Sequence, residues 1–271
     1  MSESSHQMHS RFVQIADVHY EAVTETVPPL CDMEAHIPDN NRVTLFSDRL
    51  LASALEACES LDPDFIVFTG DQVDEGWEAA GLGNYEAFGE CVHRHAPDVP
   101  VRYLFGNHDR PRERYTAICG DSIYSIQEGG CHFAVLDSGL MDGEEDPEIL
   151  RRGLEVLEDT LRTAKDAPVA VLSHFYIQPA DVPGYSYRAA EQARELIQHH
   201  PGPVCVINGH FHYGRISVRR CVPYFTAEAF VEPPVRLYLH ELGPQRLGIA
   251  EYTFDPPTGE WSGFEKFSFE L

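Results

Sequence analysis

Short β-branched and aromatic runs alternate with amphipathic stretches along this chain, the rhythm of strands exchanged with helices. Arg11-Phe-Val-Gln-Ile-Ala16 reads as the first strand. Val43 to Glu59 then carries Leu45, Phe46, Leu50, Leu51 and Leu55 at helical spacing, and Pro63 follows its end. Asp64-Phe-Ile-Val-Phe-Thr69 is nearly all apolar, as a strand buried on both faces requires. The unit repeats, with a helical stretch from Tyr85 to Arg94 before Val101-Arg-Tyr-Leu-Phe105. Strand, helix and strand in this order imply parallel pairing through right-handed crossovers. Ser122 to Gln127 and Cys131 to Asp137, parted by Glu128-Gly129-Gly130, predict a hairpin. Leu154, Leu157 and Leu161 mark one face of a further helix. Val169-Ala-Val-Leu172, a helix from Tyr187 to His200, and Val204-Cys-Val-Ile-Asn208 complete the series.

Two stretches break the rhythm. Glu21 to Asn41 is rich in Pro, Glu and Thr without a period, which predicts a long loop of the kind that serves as lid or rim. From Gly214 to Leu271, short alternating runs separated by Pro and Gly predict mainly antiparallel strands. With Met1 to Ser10 set aside as a polar tail, residues 11–271 are expected to form one α/β domain. Its expected architecture is a four-layer α-β-β-α sandwich: two mixed sheets face to face, flanked by helices, with the chemistry on loops at one edge.

Those loops are where the candidate chemistry falls. Asp17-Val18-His19, Gly70-Asp71, Gly106-Asn107-His108-Asp109, Ser173-His174 and Gly209-His210-Phe211-His212 each follow an apolar run. Each is therefore predicted where a strand ends, the place at which open α/β sheets hold their ligands. Carboxylate, imidazole and amide oxygen suit Mn, Fe or Zn, and no thiolate is present to impose a structural zinc site. Asp17 and His19, like His210 and His212, stand two residues apart and can turn to one ion. Hydrolysis of a phosphate ester needs a nucleophile, neutralisation of the non-bridging oxygens and a proton for the leaving oxygen. Two cations ~3.5–4 Å apart meet the first two needs. A single carboxylate bridging both ions fixes their separation, and Asp71, behind a glycine that admits close backbone approach, is best placed.

Taken together, these residues resemble the calcineurin-like metallophosphoesterase superfamily, whose pattern is D-x-H, G-D, G-N-H-[D/E], H and G-H-x-H; the match runs from about Arg11 to Phe225. The resemblance implies that Asp17, His19, Asp71 and His212 hold one metal and that Asp71, Asn107, His174 and His210 hold the other. It leaves His108 unligated, as the general acid that protonates the leaving group after a metal-bridging hydroxide attacks phosphorus. The family's G-D-x-x-D extension is present as Gly70-Asp71-Gln72-Val73-Asp74, which makes Asp74 the expected support of His108. Gly106-Asn107-His108-Asp109-Arg110, the hairpin from Tyr124 to Ser138 and the helix from Gly153 to Leu161 look most like class III cyclic-nucleotide phosphodiesterases. Two features depart from that group: Ser173-His174-Phe175-Tyr176 stands where it commonly has His-Pro-Pro, and the Glu21 to Asn41 insertion is longer. Asp17-Val18-His19-Tyr20 with Asn41-Arg42 is also similar to manganese-dependent ADP-ribose and CDP-alcohol diphosphatases, which usually have Gln at the position of His19.

Composition narrows the substrate. A formal net charge of −24 argues strongly against sequence-independent binding to long nucleic acids, which needs a basic track. An anionic substrate must then be drawn by local metal charge against the global field. The seven cysteines are scattered, without a C-x-x-C pair, and read as free thiols of a reducing compartment. No apolar run approaches the ~18 residues that span a bilayer, and Met1 to Ser10 lacks a secretory pattern, so a cytoplasmic protein off the membrane is expected. No pattern specifies an oligomeric state. Substrate contacts are expected from Arg110, Phe175 and Tyr176, with Tyr185, Tyr187 and Phe211 as further rings able to stack on a base and at least half of these five rings expected to pack instead. Asp137 and Asp142 read as turn residues. The leading expectation is a phosphodiesterase of small nucleotides or related phosphoesters. A phosphomonoesterase or nucleoside-diphosphate-linked pyrophosphatase, a DNA-repair-type nuclease and a non-catalytic scaffold of the same fold are the alternatives.

Overall fold

A computed structural model describes residues 8–23, 26–74, 83–141, 144–178 and 184–271. Most of the polar tail and Asp142 lie outside the described residues. The chain opens with β1 (Ser10–Ile15), followed by α1 (Ser47–Ser60), β2 (Phe65–Phe68), α2 (Asn84–His95), β3 (Val101–Tyr103) and α3 (Arg112–Cys119). The hairpin is β4 (Tyr124–Glu128) and β5 (Cys131–Leu136), and a small ribbon of β6 (Leu140–Met141) and β7 (Glu144–Glu145) leads into α4 (Pro147–Ala164). Then come β8 (Val169–Ser173), α5 (Ala190–His199) and β9 (Val204–Asn208). Five strands close the chain: β10 (Tyr213–Arg219), β11 (Val222–Glu228), β12 (Arg236–Leu242), β13 (Arg246–Asp255) and β14 (Glu260–Glu270).

Two six-stranded sheets result, in the orders β14-β13-β12-β1-β2-β3 and β10-β11-β9-β8-β5-β4. The strands linked by helical crossovers, β1-β2-β3 and β5-β8-β9, pair in parallel, as the repeating strand and helix pattern requires. The C-terminal strands are divided between the sheets. β12, β13 and β14 extend the first sheet antiparallel to β1, whereas β11 lies parallel to β9 and pairs with β10 antiparallel.

The four expected layers are present. Alternate residues of β1 divide between them: Val13 and Ile15 pack outward under α1 and α2, while Phe12 and Ala16 face the other sheet. Between the sheets Phe12 stacks on Phe65 at 5.1 Å, and Phe133 meets both rings edge-on. Burying each such side chain contributes about 1.5–3 kcal/mol. On the far side, Leu157, Leu161 and Ala164 of α4 and Ala193 and Ile197 of α5 cover the second sheet. α4 begins where Asp146 accepts the amides of Glu148 and Ile149, with Pro147 at its first position.

The segment from Glu21 to Asn41 differs from the expected bare loop. Leu30–His36 forms a 3₁₀ helix whose Met33 is buried against the first sheet's helical layer. A single buried residue in a short helix leaves no periodic trace in the sequence. Among the described residues no helix is long and apolar enough to cross a membrane.

Candidate metal centre

All five predicted segments leave the carboxyl ends of parallel strands at one edge of the sandwich. β1, β2 and β3 deliver Asp17, His19, Asp71, Asn107 and His108 from the first sheet. β8 and β9 deliver His174, His210 and His212 from the second. The two sets face each other. His212 Nε2 lies 3.5 Å from Asp17 Oδ1 and 3.4 Å from His19 Nε2, while His174 Nε2 lies 3.3 Å from Asp71 Oδ2 and 3.2 Å from Asn107 Oδ1. Asp17, His19 and His212 bring donor atoms within 4.8 Å of one another, and Asp71, His174 and His210 do the same.

Close approach needs space that only glycine leaves. A Cβ on Gly70 would overlap the His174 imidazole, and one on Gly106 would overlap the Asp71 carboxylate. The donor residues themselves sit in unusual backbone: Asp17, His19, Asp71 and His210 all have positive φ, between 44° and 70°. Such left-handed conformations cost non-glycine residues about 1–3 kcal/mol each and survive where the surroundings over-determine them.

The second hydrogen bonds of the histidines fix their aim. His19 Nδ1 is 3.0 Å from Asp74 Oδ1, His174 Nδ1 is 2.7 Å from the Thr69 carbonyl, and His212 Nδ1 is 2.6 Å from Glu232 Oε1. Each acceptor is an oxygen, so in all three rings Nδ1 donates and Nε2 is the nitrogen that faces the centre, free to ligate a cation once its proton is displaced. That is the arrangement imidazole ligands of metals adopt.

Charge balance points the same way. Burial opposes ionisation of Asp71, yet His174, His19 and His108 hold its carboxyl well below the ordinary range. Burial would lower His174 and His212, but Asp71 carries the first up to about 9, and Asp17 with Glu232 carries the second up to about 10. Burial and the neighbouring His174 push His210 down to about 4. Buried carboxylates that draw protons onto adjacent imidazoles mark a centre that demands positive charge. The residues fit two cations: oxygen and nitrogen donors meet there buried or half-buried, and among the described residues no lysine or arginine lies between them.

His108 is placed differently. Its ring stands at the opening, edge-on to His19 at 4.6 Å, with Nδ1 3.2 Å from Asp74 Oδ1 and its amide donating to Asp71 Oδ1 at 2.8 Å. Burial lowers its pKa, but Asp74 and Asp71 outweigh this and raise it. Asp74 thus serves two rings, His19 and His108, and Arg42 Nη1 lies 3.5 Å from the same oxygen. The sequence singled out Asp109 only as part of its motif. In the fold it is fully buried and accepts the amides of Gln72 and Gly106, both at 2.8 Å, tying the Asp71 loop to the Asn107 loop.

A cleft of about 460 Å³ opens over this centre, lined by Asp71, Asn107, His108, His210 and His212 at its floor. Its walls are Asn40, Arg42, Tyr185, Phe211, Tyr213 and Glu232. The expected substrate contacts are redistributed. Phe175 and Tyr176 are buried beside His210 and Phe211 and do not line the cleft, because the chain after His174 turns inward to bridge Ser186. Tyr187 is likewise buried, and Arg110 donates Nε to the Asn107 carbonyl away from the cleft lining. Tyr185 and Phe211 do reach the wall, 5.4 Å apart and edge-on, and the exposed Tyr213 continues the ledge 5.6 Å beyond Phe211. Tyr213 and Glu232 carried no signal in the sequence; Asn41-Arg42 did, as a pair shared with the diphosphatases. A larger groove of about 800 Å³ lies between α4 and α5, on the outer face of the second sheet, and holds none of the predicted site residues.

Comparison with known proteins follows the same line. The family model described as calcineurin-like phosphoesterase matches residues 10–214. Among solved structures the chain is similar to a dimetal phosphatase from Danio rerio, with a TM-score of 0.71 and 18% identity over 90% of this chain and 95% of that one. It is similar to GAP50, the anchor in the inner membrane complex of Plasmodium, at 0.64 and 13% over 98% and 89%. A purple acid phosphatase from yellow lupin (Lupinus luteus) seeds gives 0.61 and 12% over 97% of this chain and 54% of the other. At these identities the likeness is one of fold. No curated protein sequence matches.

Proposed function

This chain belongs to the calcineurin-like phosphoesterase family of metal-dependent phosphoester hydrolases, and from that premise we propose that it hydrolyses phosphodiester or diphosphate bonds of small nucleotides or related phosphoesters. The observation that carries the reading is the meeting of seven donor residues from two sheets with one further histidine, His108, whose ring lies beside His19 and Asp71 and whose Nδ1 faces Asp74. In this reading Asp17, His19, Asp71 and His212 hold one cation, and Asp71, Asn107, His174 and His210 hold the other. Bound there, two divalent cations supply Lewis acidity toward the phosphoryl oxygens and acidify the attacking water.

The chain's own residues do the rest. Asp71 faces both donor groups and fixes their separation. His108 delivers a proton to the leaving oxygen; burial opposes its charge, but Asp74 and Asp71 raise its proton affinity, and Asp74 lies against its Nδ1. Arg42 is the one cation lining the cleft among the described residues, and it offers an anionic substrate a local partner against the chain's negative field. The ledge of Tyr185, Phe211 and Tyr213 supports the nucleotide reading, since planar bases stack on such rings at about 1–3 kcal/mol each. A cleft of this size suits a small molecule, in keeping with the charge argument against long nucleic acids.

The test is turnover of bis(p-nitrophenyl) phosphate with Mn(II), followed by a panel of cyclic nucleotides, nucleoside diphosphate sugars, glycerophosphodiesters and monoesters. Activity is expected to need metal and to vanish in Asp71→Ala. Full activity of the metal-stripped chain would sink the proposal. The resemblance in fold to an anchor protein keeps a scaffold reading in play, and failure of the wild-type chain to bind two Mn(II) would favour it.

A further inference from the structure

Among the described residues, the largely apolar interior between the two sheets holds a connected set of buried polar groups directly beneath the metal centre. Phe12, Gln14 and Ala16 of β1 share the face that looks across to the second sheet. Gln14 is fully buried there. Its Nε2 donates to Thr69 Oγ1 and to the Asn208 carbonyl, both at 3.0 Å, and its Oε1 lies 3.0 Å from His240 Nε2. A backbone carbonyl can only accept, so the amide can face only one way, and the remaining oxygen must receive the His240 proton. His240 is itself buried, stacked on Phe12 at 4.9 Å, with no partner for Nδ1 among the described residues.

Each of the two acceptors of Gln14 leads to His174. Thr69 ends the apolar run of β2, and its carbonyl takes the His174 Nδ1 proton. Asn208 ends β9 in the other sheet, and its Nδ2 donates to the carbonyls of Ser173 and Phe175, the residues on either side of His174, at 2.8 and 2.9 Å. Gly209, next in the chain, donates its amide to the His174 carbonyl at 3.2 Å and leads into His210. One carboxamide therefore joins a residue that precedes Gly70-Asp71 to a residue that precedes Gly209-His210. These loops come from different sheets, and both cation positions need donors from both sheets.

We propose that Gln14 is a positioning residue that holds the two halves of the metal centre in register, acting through Thr69 and Asn208 on His174 and His210. The proposal rests on the two-metal reading above. An all-apolar interior would hold the sheets together equally well, because burial has no direction. It would not fix their relative slide, which hydrogen bonds of defined geometry do. Outer-shell partners of metal ligands change affinity by roughly 10–100-fold when removed.

The experiment is Mn(II) titration of the full chain, by competition with a fluorescent chelator, beside thermal melting of the metal-stripped protein. Gln14→Met keeps length and removes every hydrogen bond. The affinity for Mn(II) is expected to weaken about 10–100-fold, with a correspondingly smaller rise in melting temperature on adding metal. Affinity within about twofold of wild type, with only a lowered melting temperature of the metal-free chain, would show Gln14 to be a packing residue and overturn the proposal. Should Gln14→Met fail to fold, His240→Phe keeps the stacked ring and removes only the donor that fixes Oε1. It is expected to weaken Mn(II) binding in the same direction by a smaller factor, and unchanged affinity there overturns the proposal equally. A wild-type chain that binds no pair of ions refutes the two-metal reading itself; wild-type binding matched by both variants refutes only the role of Gln14.

Discussion

At the floor of the cleft His19, Asp71 and His174 are fully buried, and each is held from behind by a further contact: Asp74, the His108 amide and the Thr69 carbonyl. At its wall Tyr185, Phe211 and Tyr213 meet edge to face, and Tyr213 is 78% exposed. The floor is determined by directional bonds in a low dielectric, where a small displacement is expensive. The wall is made of ring contacts with one face in water, which tolerate exchange. On the proposed function, reaction class and substrate choice would reside in parts of the site built by different forces, and changes to one need not disturb the other.

That separation can be broken or sharpened by substitution. The largest effect short of losing the centre is expected at His108, where His108→Ala lowers kcat about 10²–10⁴-fold while metal content, read by elemental analysis, stays at wild-type level. Loss of metal in that variant would instead make His108 a ligand, as its nearness to His19 and Asp71 allows. Glu232→Gln comes next. It weakens the hydrogen bond that turns His212 Nε2 inward, and about 10–100-fold weaker Mn(II) binding is expected in a chelator competition.

A smaller and more selective change is expected at the wall. Tyr213→Ala removes about 1–3 kcal/mol of stacking from a bound base, seen as a raised KM for nucleotides with KM for a glycerophosphodiester unchanged. Equal losses on both substrates would mean that the ledge is structural. The effect with the least bearing on activity lies beneath the floor and concerns stability against pH. Burial holds His240 down to about 3, against an ordinary value near 6.5. Between these values the unfolded chain binds a proton that the folded chain refuses, so stability falls as pH drops below about 6.5 toward 3. His240→Phe is expected to flatten that part of the melting temperature against pH, measured by thermal scans in matched buffers.

Much of the floor was legible in the sequence because each donor residue follows an apolar run that could only be a buried strand. Asp17, Asp71, Asn107, His174 and His210 needed no long-range knowledge to be placed at strand ends, and the helical crossovers put those ends on one edge. The wall was less legible. Glu232 and Tyr213 reach the cleft through a loop and a strand that enter the second sheet's side of the site, and nothing local in Glu232-Pro-Pro or Tyr213-Gly214 announces that. Phe175 and Tyr176 adjoin a donor residue in sequence, but the backbone hydrogen bonds between Tyr176 and the Tyr185 to Tyr187 segment draw them inward. Gln14 was visible as one polar residue in an apolar strand, and its meaning depended on Asn208 and His240, which only the packed sheets bring to it.

The left-handed backbone at Asp17, His19, Asp71 and His210 gives the centre a second part in the life of the molecule. Conformations that oppose folding are concentrated where cations are held, so anything that occupies that centre favours the folded chain by RT ln(1 + [L]/Kd), roughly 2.7 kcal/mol at a hundredfold excess over Kd. The persistence of the fold and the supply of free metal around it are then coupled, so removing metal is expected to lower the melting temperature of the chain as well as its activity.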